Sequence, residues 1–180
     1  MDVTLIVCGA PLTARAPDLL AALADDGWRP GVVATPAAAP WLDSAAVERL
    51  TGEPPRTEFR SPAYPKRAGD PAAVVVCPAT FNTVNKAAAG AADTYALATL
   101  CEALGSRLPV LLVPMVNNKL WGHPAWTDSL AIFSNAGAAI MNVHTGEAGA
   151  AEVASGTGDQ VVARFRPGWV AAGLQRLVRR

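Results

Sequence analysis

The chain has 180 residues, 51% of them apolar and only 17% charged, which suits one α/β domain with a large core and excludes extended disorder. Fifteen basic residues balance fifteen acidic ones, so the surface carries no excess of positive charge of the kind that nucleic acid or an anionic membrane would require. So little charge, with a mean hydropathy of +0.23, leaves apolar surface that another subunit would cover; the expectation is a homo-oligomer.

The opening stretch MDVTLIVCGAPLTAR lacks the basic start and long apolar core of a secretory signal, and no apolar run reaches the roughly 18 residues of a membrane helix, so a cytoplasmic protein is expected. Cys8, Cys77 and Cys101 are odd in number and form no CxxC pair; buried reduced thiols fit them better than a disulfide or zinc framework.

Residues 3–8, VTLIVC, are a continuous apolar run bounded by Gly9 and Pro11, the pattern of a parallel strand covered on both faces. A helical pattern then starts at Thr13 or Ala14, runs through Leu19, Leu20 and Leu23, and stops at Gly27. GVVAT at 31–35 predicts the second strand, and Ala37 to Leu50 a second helix ahead of the Gly52–Pro55 break. From Glu53 to Pro71 the chain is rich in proline and charge, which predicts a loop or short edge segment.

AAVVVC at 72–77 predicts the third strand, followed by helices around Val84 to Ala92 and from Thr94 to Leu104. PVLLVP at 109–114 predicts the fourth strand, Pro124 to Ala136 a helix, AAIMNV a fifth strand, and Trp169 to Arg180 an amphipathic last helix whose basic end suits its dipole. Alternating β and α elements, with no internal repeat, imply a doubly wound parallel sheet with right-handed crossovers, one domain over residues 1–180.

In such a sheet ligands bind beyond the carboxyl ends of the strands, where helix N-termini present backbone N–H groups. Those ends are Gly9-Ala10-Pro11-Leu12, Thr35-Pro36-Ala37, Pro78 to Thr83, and Pro114 to Asn118. Neither GxGxxG nor GxxxxGK[ST] is present, so a dinucleotide fingerprint and a nucleotide P-loop are both unsupported. Thr80, Asn82, Thr83 and Asn85 serve equally as helix-capping groups or as outward hydrogen-bonding groups, and the same two readings hold for Asn117 and Asn118 as turn formers or ligand binders.

PATFNTVNKAAAGAADT at 78–94 resembles the PASANT region of the homo-oligomeric flavin-containing cysteine decarboxylases, and PMVNNKLWGHP at 114–124 resembles their PxMNxxMW motif. CGAPLTA and VVATPAAAPWLD resemble the same family's loops after the first and second strands, so that the likeness extends over about the first 160 residues. That family includes phosphopantothenoylcysteine decarboxylases and peptidyl-cysteine decarboxylases of lantibiotic pathways, Rossmann-like FMN proteins built from trimers. The resemblance implies a flavodoxin-like FMN protein that decarboxylates a cysteine-containing peptide or small thiol acid. It implies that Gly9, Ala10, Pro11, Thr35 and Ala37 hold the phosphate and ribityl chain, with Thr80, Phe81, Asn82, Thr83 and Met115 around the cofactor. It gives Asn117 the position of the asparagine that holds the substrate carboxylate.

Three positions depart from the family. Tyr64 stands where the active-site histidine is expected, and no histidine precedes His123. Ser155 stands at the position of a cysteine that phosphopantothenoylcysteine decarboxylases use late in their cycle, a feature nearer the peptidyl branch. Ala10-Pro11 replaces a serine followed by a small residue, losing a hydroxyl contact worth about 1 kcal/mol. Tyr64 and His123 are therefore the candidate replacement acid-base groups; His123 also fits a capping or subunit-contact role, and His144 a structural one. Flavin prenyltransferase-like chemistry, for which Lys119 is the one basic candidate in the motif, and a non-decarboxylating flavin-binding subunit stand as alternatives.

Overall fold

The computed structural model describes residues 1–59 and 71–179. Five strands, β1 (Asp2–Val7), β2 (Arg29–Ala34), β3 (Ala73–Ala79), β4 (Val110–Pro114) and β5 (Ala139–Ile140), form one sheet in the order β2-β1-β3-β4-β5. Every pairing is parallel, with Val3 opposite Ala73 and Ile6 opposite Val76 at the centre, and Val74 opposite Val110 beyond it. This is the flavodoxin-like order, in which the chain leaves β1 on one side and returns on the other.

The continuous apolar runs are explained by two cores, one on each face. Because side chains alternate along a strand, Leu5, Val7, Val75, Cys77, Leu111 and Val113 belong to one core, and Ile6, Cys8, Val74, Val76 and Leu112 to the other. Helices α1 (Ala16–Asp25), α2 (Ser44–Thr51), α7 (Gly158–Arg164) and α8 (Gly168–Val178) cover the first face through Leu19, Leu23, Val47, Val161 and Leu174. Helices α3 (Phe81–Ala88), α4 (Tyr95–Gly105) and α6 (Pro124–Asn135) cover the second through Val84, Leu100, Trp126 and Phe133. Each fully buried Leu, Val or Phe contributes about 1.5–3 kcal/mol of transfer free energy, so the sheet is held from both sides.

Proline moves several predicted boundaries. The first helix begins at Ala16, not Thr13 or Ala14, after a 3-10 turn over Pro11–Arg15, because Pro17 has no N–H to give back to residue 13 and is tolerated only in a first turn. The predicted 37–50 helix is two pieces, a 3-10 turn over Pro36–Trp41 containing Pro40, and α2, whose N-cap Asp43 accepts from Ala46 N at 2.9 Å. Gly27, at φ +85°, ends α1 as expected: Trp28 N–H reaches back to Leu23 O at 3.0 Å, and only glycine takes that φ without penalty.

Other elements differ in extent. The helix expected around Val84 to Ala92 starts earlier, at Phe81, with Thr80 as N-cap, and ends before Gly90 at φ +76°. The fifth strand shrinks from six residues to Ala139–Ile140, since past β5 the chain turns back at Asn142, where Gly146 N–H closes on Asn142 O at 2.9 Å. One-turn helix α5 (Asn118–Trp121) and helix α7 lie in stretches with no predicted element. Within the Glu53–Pro71 segment, Arg56 makes a parallel bridge to Val33 on the β2 edge, and its guanidinium donates to Tyr95 Oη at 2.6 Å.

Candidate active site

The carboxyl ends of β1 to β4 open into a cavity of about 780 Å³, within the size range of small-molecule sites. It lies where β1 is flanked by β2 and β3, the point at which chain direction across the sheet reverses. Gly9, Ala10, Pro11, Thr35, Ala37, Thr80, Phe81, Asn82, Thr83, Met115 and Asn117 all line it. The structure thus gathers the cofactor-side residues and the candidate carboxylate-binding asparagine around one space.

The β1 and β2 ends form one wall at backbone level. A Cβ at Gly9 would fall on the carbonyl of Ala37, so these two loops touch only because residue 9 has no side chain. Beside them Thr35 is buried, and its hydroxyl finds no partner among the described residues. A buried hydroxyl left unpaired costs about 1–3 kcal/mol, which a hydrogen-bonding ligand in this cavity would recover. Thr13 Oγ1 donates to Cys8 O and Thr13 N to Ala10 O at 2.9 Å, tightening the turn that carries Ala10 and Pro11.

The β3 end supplies the floor. Cys77–Pro78 is a cis peptide, and the pairing with β4 shifts register between Val76 and Ala79 before α3 begins. The N-cap Thr80 makes no side-chain cap bond to α3, whose first-turn N–H groups, at Phe81, Asn82 and Thr83, have no acceptor within the helix. Thr80 and Thr83 hydroxyls share a hydrogen bond of 3.1 Å. Phe81 is held from behind by Trp126, stacked with ring centroids 5.7 Å apart, and by the edge of His123 at 5.5 Å.

At the β4 end Asn117 is the N-cap of α5: its Oδ1 accepts from Lys119 N at 3.1 Å and Leu120 N at 3.0 Å. With the carbonyl oxygen engaged twice, the side chain has its Nδ2 protons to offer to the cavity. A loop approaching β4 completes the enclosure. Val153 pairs with Asn117 as a parallel bridge, and Val153, Ser155, Gly156, Gly158 and Asp159 line the space.

Of the remaining candidates, His123 lies outside the lining. It caps α6 by accepting at Nδ1 from Ala125 N at 3.1 Å, a role the sequence allowed. His144 also stays away from the cavity, its Nε2 hydrogen-bonded to Glu152 O at 2.9 Å. Lys119 is exposed and outside the lining. Tyr64 lies outside the described residues. Lining residues that the sequence did not single out include Trp41, Lys86, Leu97, Val153, Gly156, Gly158 and Asp159; the glycine spacing of Ser155-Gly156-Thr157-Gly158 was the available signal for the last stretch.

Charge is sparse here. Among the described lining residues Lys86 and Asp159 are the acidic and basic side chains, and Lys86 is paired with Asp93, whose carboxyl it pulls below the usual range. Burial pushes the Cys8 thiol up, against weaker opposing hydrogen bonds from Thr83 and Thr80, and does the same to Cys77, with the Cys8 charge adding to it. Both thiols stay protonated at neutral pH and act as core atoms, not nucleophiles. Among the described residues no cluster of three or more His, Cys, Asp or Glu is placed to hold a metal ion, and no helix is long and apolar enough to cross a membrane.

The bifunctional CoaBC coenzyme A biosynthesis protein of Mycobacterium tuberculosis (strain ATCC 25618 / H37Rv) is 34% identical over 154 residues, covering 83% of this chain and 36% of the relative. The chain spans about a third of the length of the curated relatives it first matches. Among solved structures, the FMN-dependent cysteine decarboxylase TvaF of thioviridamide biosynthesis superposes with a TM-score of 0.68 at 24% identity, covering 79% of this chain and 90% of that one. A mutant PPC decarboxylase complexed with pantothenoylaminoethenethiol superposes at 0.74 with 16% identity over 99% of this chain and 98% of that one. At these identities the structures speak for the fold. The family model described as Flavoprotein matches residues 1–169, and the chain belongs to the Flavoprotein family.

Proposed function

We propose that this cavity holds FMN and that the protein is a flavin-dependent decarboxylase of a cysteine-containing peptide or small thiol acid. The residues present fit the cofactor. The bare backbone at Gly9, the orphaned Thr35 hydroxyl and the uncapped start of α3 are donor groups that suit a phosphorylated, uncharged-ring ligand without demanding net positive charge. Thr80, Phe81, Asn82, Thr83 and Met115 would surround the ring system, and Gly9, Ala10, Pro11, Thr35 and Ala37 the phosphate and ribityl chain. When bound, FMN supplies a two-electron acceptor for the carbon bearing the substrate thiol, which makes loss of the neighbouring carboxylate as carbon dioxide feasible.

The observation that carries the substrate reading is the orientation of Asn117. Its amide oxygen is consumed by the start of α5, so it offers the cavity N–H donors and no acceptor, the polarity a substrate carboxylate requires. Ser155 lines the same space, and the mutant PPC decarboxylase is complexed with an enethiol. With serine at Ser155, an enethiol is the expected product here.

The CoaBC match and the fold shared with an FMN-dependent cysteine decarboxylase support this reading, and the free Cys8, Cys77 and Cys101 support a cytoplasmic setting. A homotrimer or trimer-based oligomer is inferred from the low charge and from exposed Leu120 and Ile132. A second reading, a flavin-binding subunit that does not decarboxylate, is favoured by the lack of any histidine before His123 and by His123 spending its Nδ1 on a helix cap.

Acid-precipitated protein should release one FMN per subunit, identified by mass, and a peptide ending in cysteine should lose carbon dioxide. Colourless protein that takes up no added FMN would defeat the cofactor assignment, and flavin-loaded protein without carbon dioxide release would favour the binding subunit. His123→Asn keeps a capping side chain, so a fall in turnover of about 100-fold would mark an acid-base role beyond the cap. Tyr64→Phe asks the same of the other candidate.

A further inference from the structure

We infer that Asn118, next to the cavity but outside its lining, is a positioning residue that pins the Ser155 loop across the mouth of the site and thereby sets how the substrate end of the cavity is closed. This deepens the decarboxylase reading and rests on it for the substrate, though the pinning itself is tested independently below.

The attachment of this loop to β4 is a short parallel ladder. Val153 N donates to Val116 O at 2.8 Å, and Asn118 N donates to Val153 O at 2.9 Å. There the backbone pairing stops, because Ala154, Ser155 and Gly156 turn out into an exposed bend, with Gly156 at φ +86° and Thr157 N closing on Ala154 O at 3.0 Å. One further bond carries the attachment past the end of the ladder: Ser155 N donates to Asn118 Oδ1 at 3.0 Å. Asn118 therefore grips the loop twice, once by backbone and once by side chain. Farther on, the loop is seated by Gly158, whose missing Cβ would stand 3.0 Å from Pro11 Cγ and 3.7 Å from Met115 Cε.

The consequence follows from adjacency. Asn117 presents its amide to the cavity from the residue before Asn118, so the Ser155–Asn118 bond ties the position of the serine to that of the carboxylate-binding amide. Substrate must fit between two groups held at one separation, not between an amide and a free loop. The requirement on residue 118 is specific: an acceptor oxygen two bonds from Cβ on a helix-start backbone, which asparagine and aspartate provide and alanine or lysine does not.

The test uses the flavin-loaded protein. In ¹⁵N-labelled samples, Asn118→Ala should speed exchange of the Ser155 amide proton by about tenfold, the scale of one lost hydrogen bond, while Asn118→Asp, which keeps the acceptor, should leave it near the parent rate. With a peptide ending in cysteine, Asn118→Ala should raise KM several-fold with kcat largely kept and flavin content unchanged, and Asn118→Asp should restore KM. Unchanged Ser155 exchange in Asn118→Ala overturns the pinning. Faster exchange with KM and kcat both unmoved overturns the positioning role. A parent protein that turns over no such peptide sinks the substrate class instead, and the exchange rates then decide the pinning by themselves.

Discussion

The two ends of the cavity are built from different materials. At the β1 and β2 end, Gly9, Ala37 and buried Thr35 make a wall of backbone and small groups in direct contact, with no charged side chain on those three positions. At the β4 end, the wall is made of side-chain amides and an exposed loop: Asn117 caps α5, and Ser155 and Asp159 are solvent-facing. The first end is rigid because its contacts are at backbone level, between loops that the paired strands β1 and β2 fix in place. The second is more adjustable, because past buried Val153 the exposed bend is tied to β4 by one side-chain hydrogen bond, Ser155 N to Asn118 Oδ1. A cofactor that stays through many turnovers suits the former, and a substrate that comes and goes suits the latter.

The largest expected effect breaks the rigid end. Gly9→Val drives a branched side chain into the Ala37 backbone, which cannot step aside without moving β2, so a loss of about 1–3 kcal/mol in unfolding free energy and near-complete loss of bound flavin are expected. Denaturant melts and the 450 nm region absorbance of purified protein measure both; a stable yellow variant would show that the two loops need not touch.

Asn117→Asp addresses the adjustable end. The aspartate oxygen can still accept from Lys119 N and Leu120 N, so α5 and the fold should survive, and flavin should stay bound. Against a substrate carboxylate it presents negative charge in place of N–H donors, and kcat/KM should fall on the order of 100-fold, about 3 kcal/mol. Retained turnover would remove Asn117 from carboxylate binding.

Thr35→Val sharpens the contrast by splitting stability from binding. Removing a buried hydroxyl that has no partner should leave the flavin-free protein as stable or up to about 1 kcal/mol more stable, whereas flavin affinity should drop about tenfold if that hydroxyl meets the ligand. A parallel fall in both would mean that the hydroxyl has a protein partner.

The smallest effect is at Lys86. Its pairing with Asp93 lowers that exposed carboxyl from its ordinary value of 3.8, so the pair's support is present above that value and is lost as pH falls through the lowered one. Following the Asp93 carboxyl by NMR, Lys86→Gln should return its titration towards 3.8 with little change in melting at neutral pH.

Much of this was legible in residue order because both sheet faces are buried. Val74, Val75 and Val76 have to be apolar without alternation, which marks a central parallel strand, and strands so marked place their carboxyl-end loops beside one another whatever the helices do. Gly9, Thr35, Thr80 and Asn117 could therefore be named as neighbours from local pattern alone. Helix starts at Ala16 and Ser44 were less legible, since the pattern of apolar residues runs on through Pro17 and Pro40 while the backbone hydrogen bonding cannot.

What the sequence by itself determined is the layered sheet, the ring of strand-end loops and the family. Tertiary structure decided which way groups face and what the distant segments add. The caps that Asn117 and His123 make are local, to residues two and three along the chain, and residue order left them open beside the ligand-binding roles; that Ala37 fills the space beside Gly9 depends on backbones that meet only after the sheet has formed. The approach of residues 153–159 to the β4 end is a contact across more than thirty residues, anchored by Val153 against Val116 and Asn118. No local periodicity encodes such a contact, because its hydrogen bonds are satisfied by partners that the chain order leaves far apart.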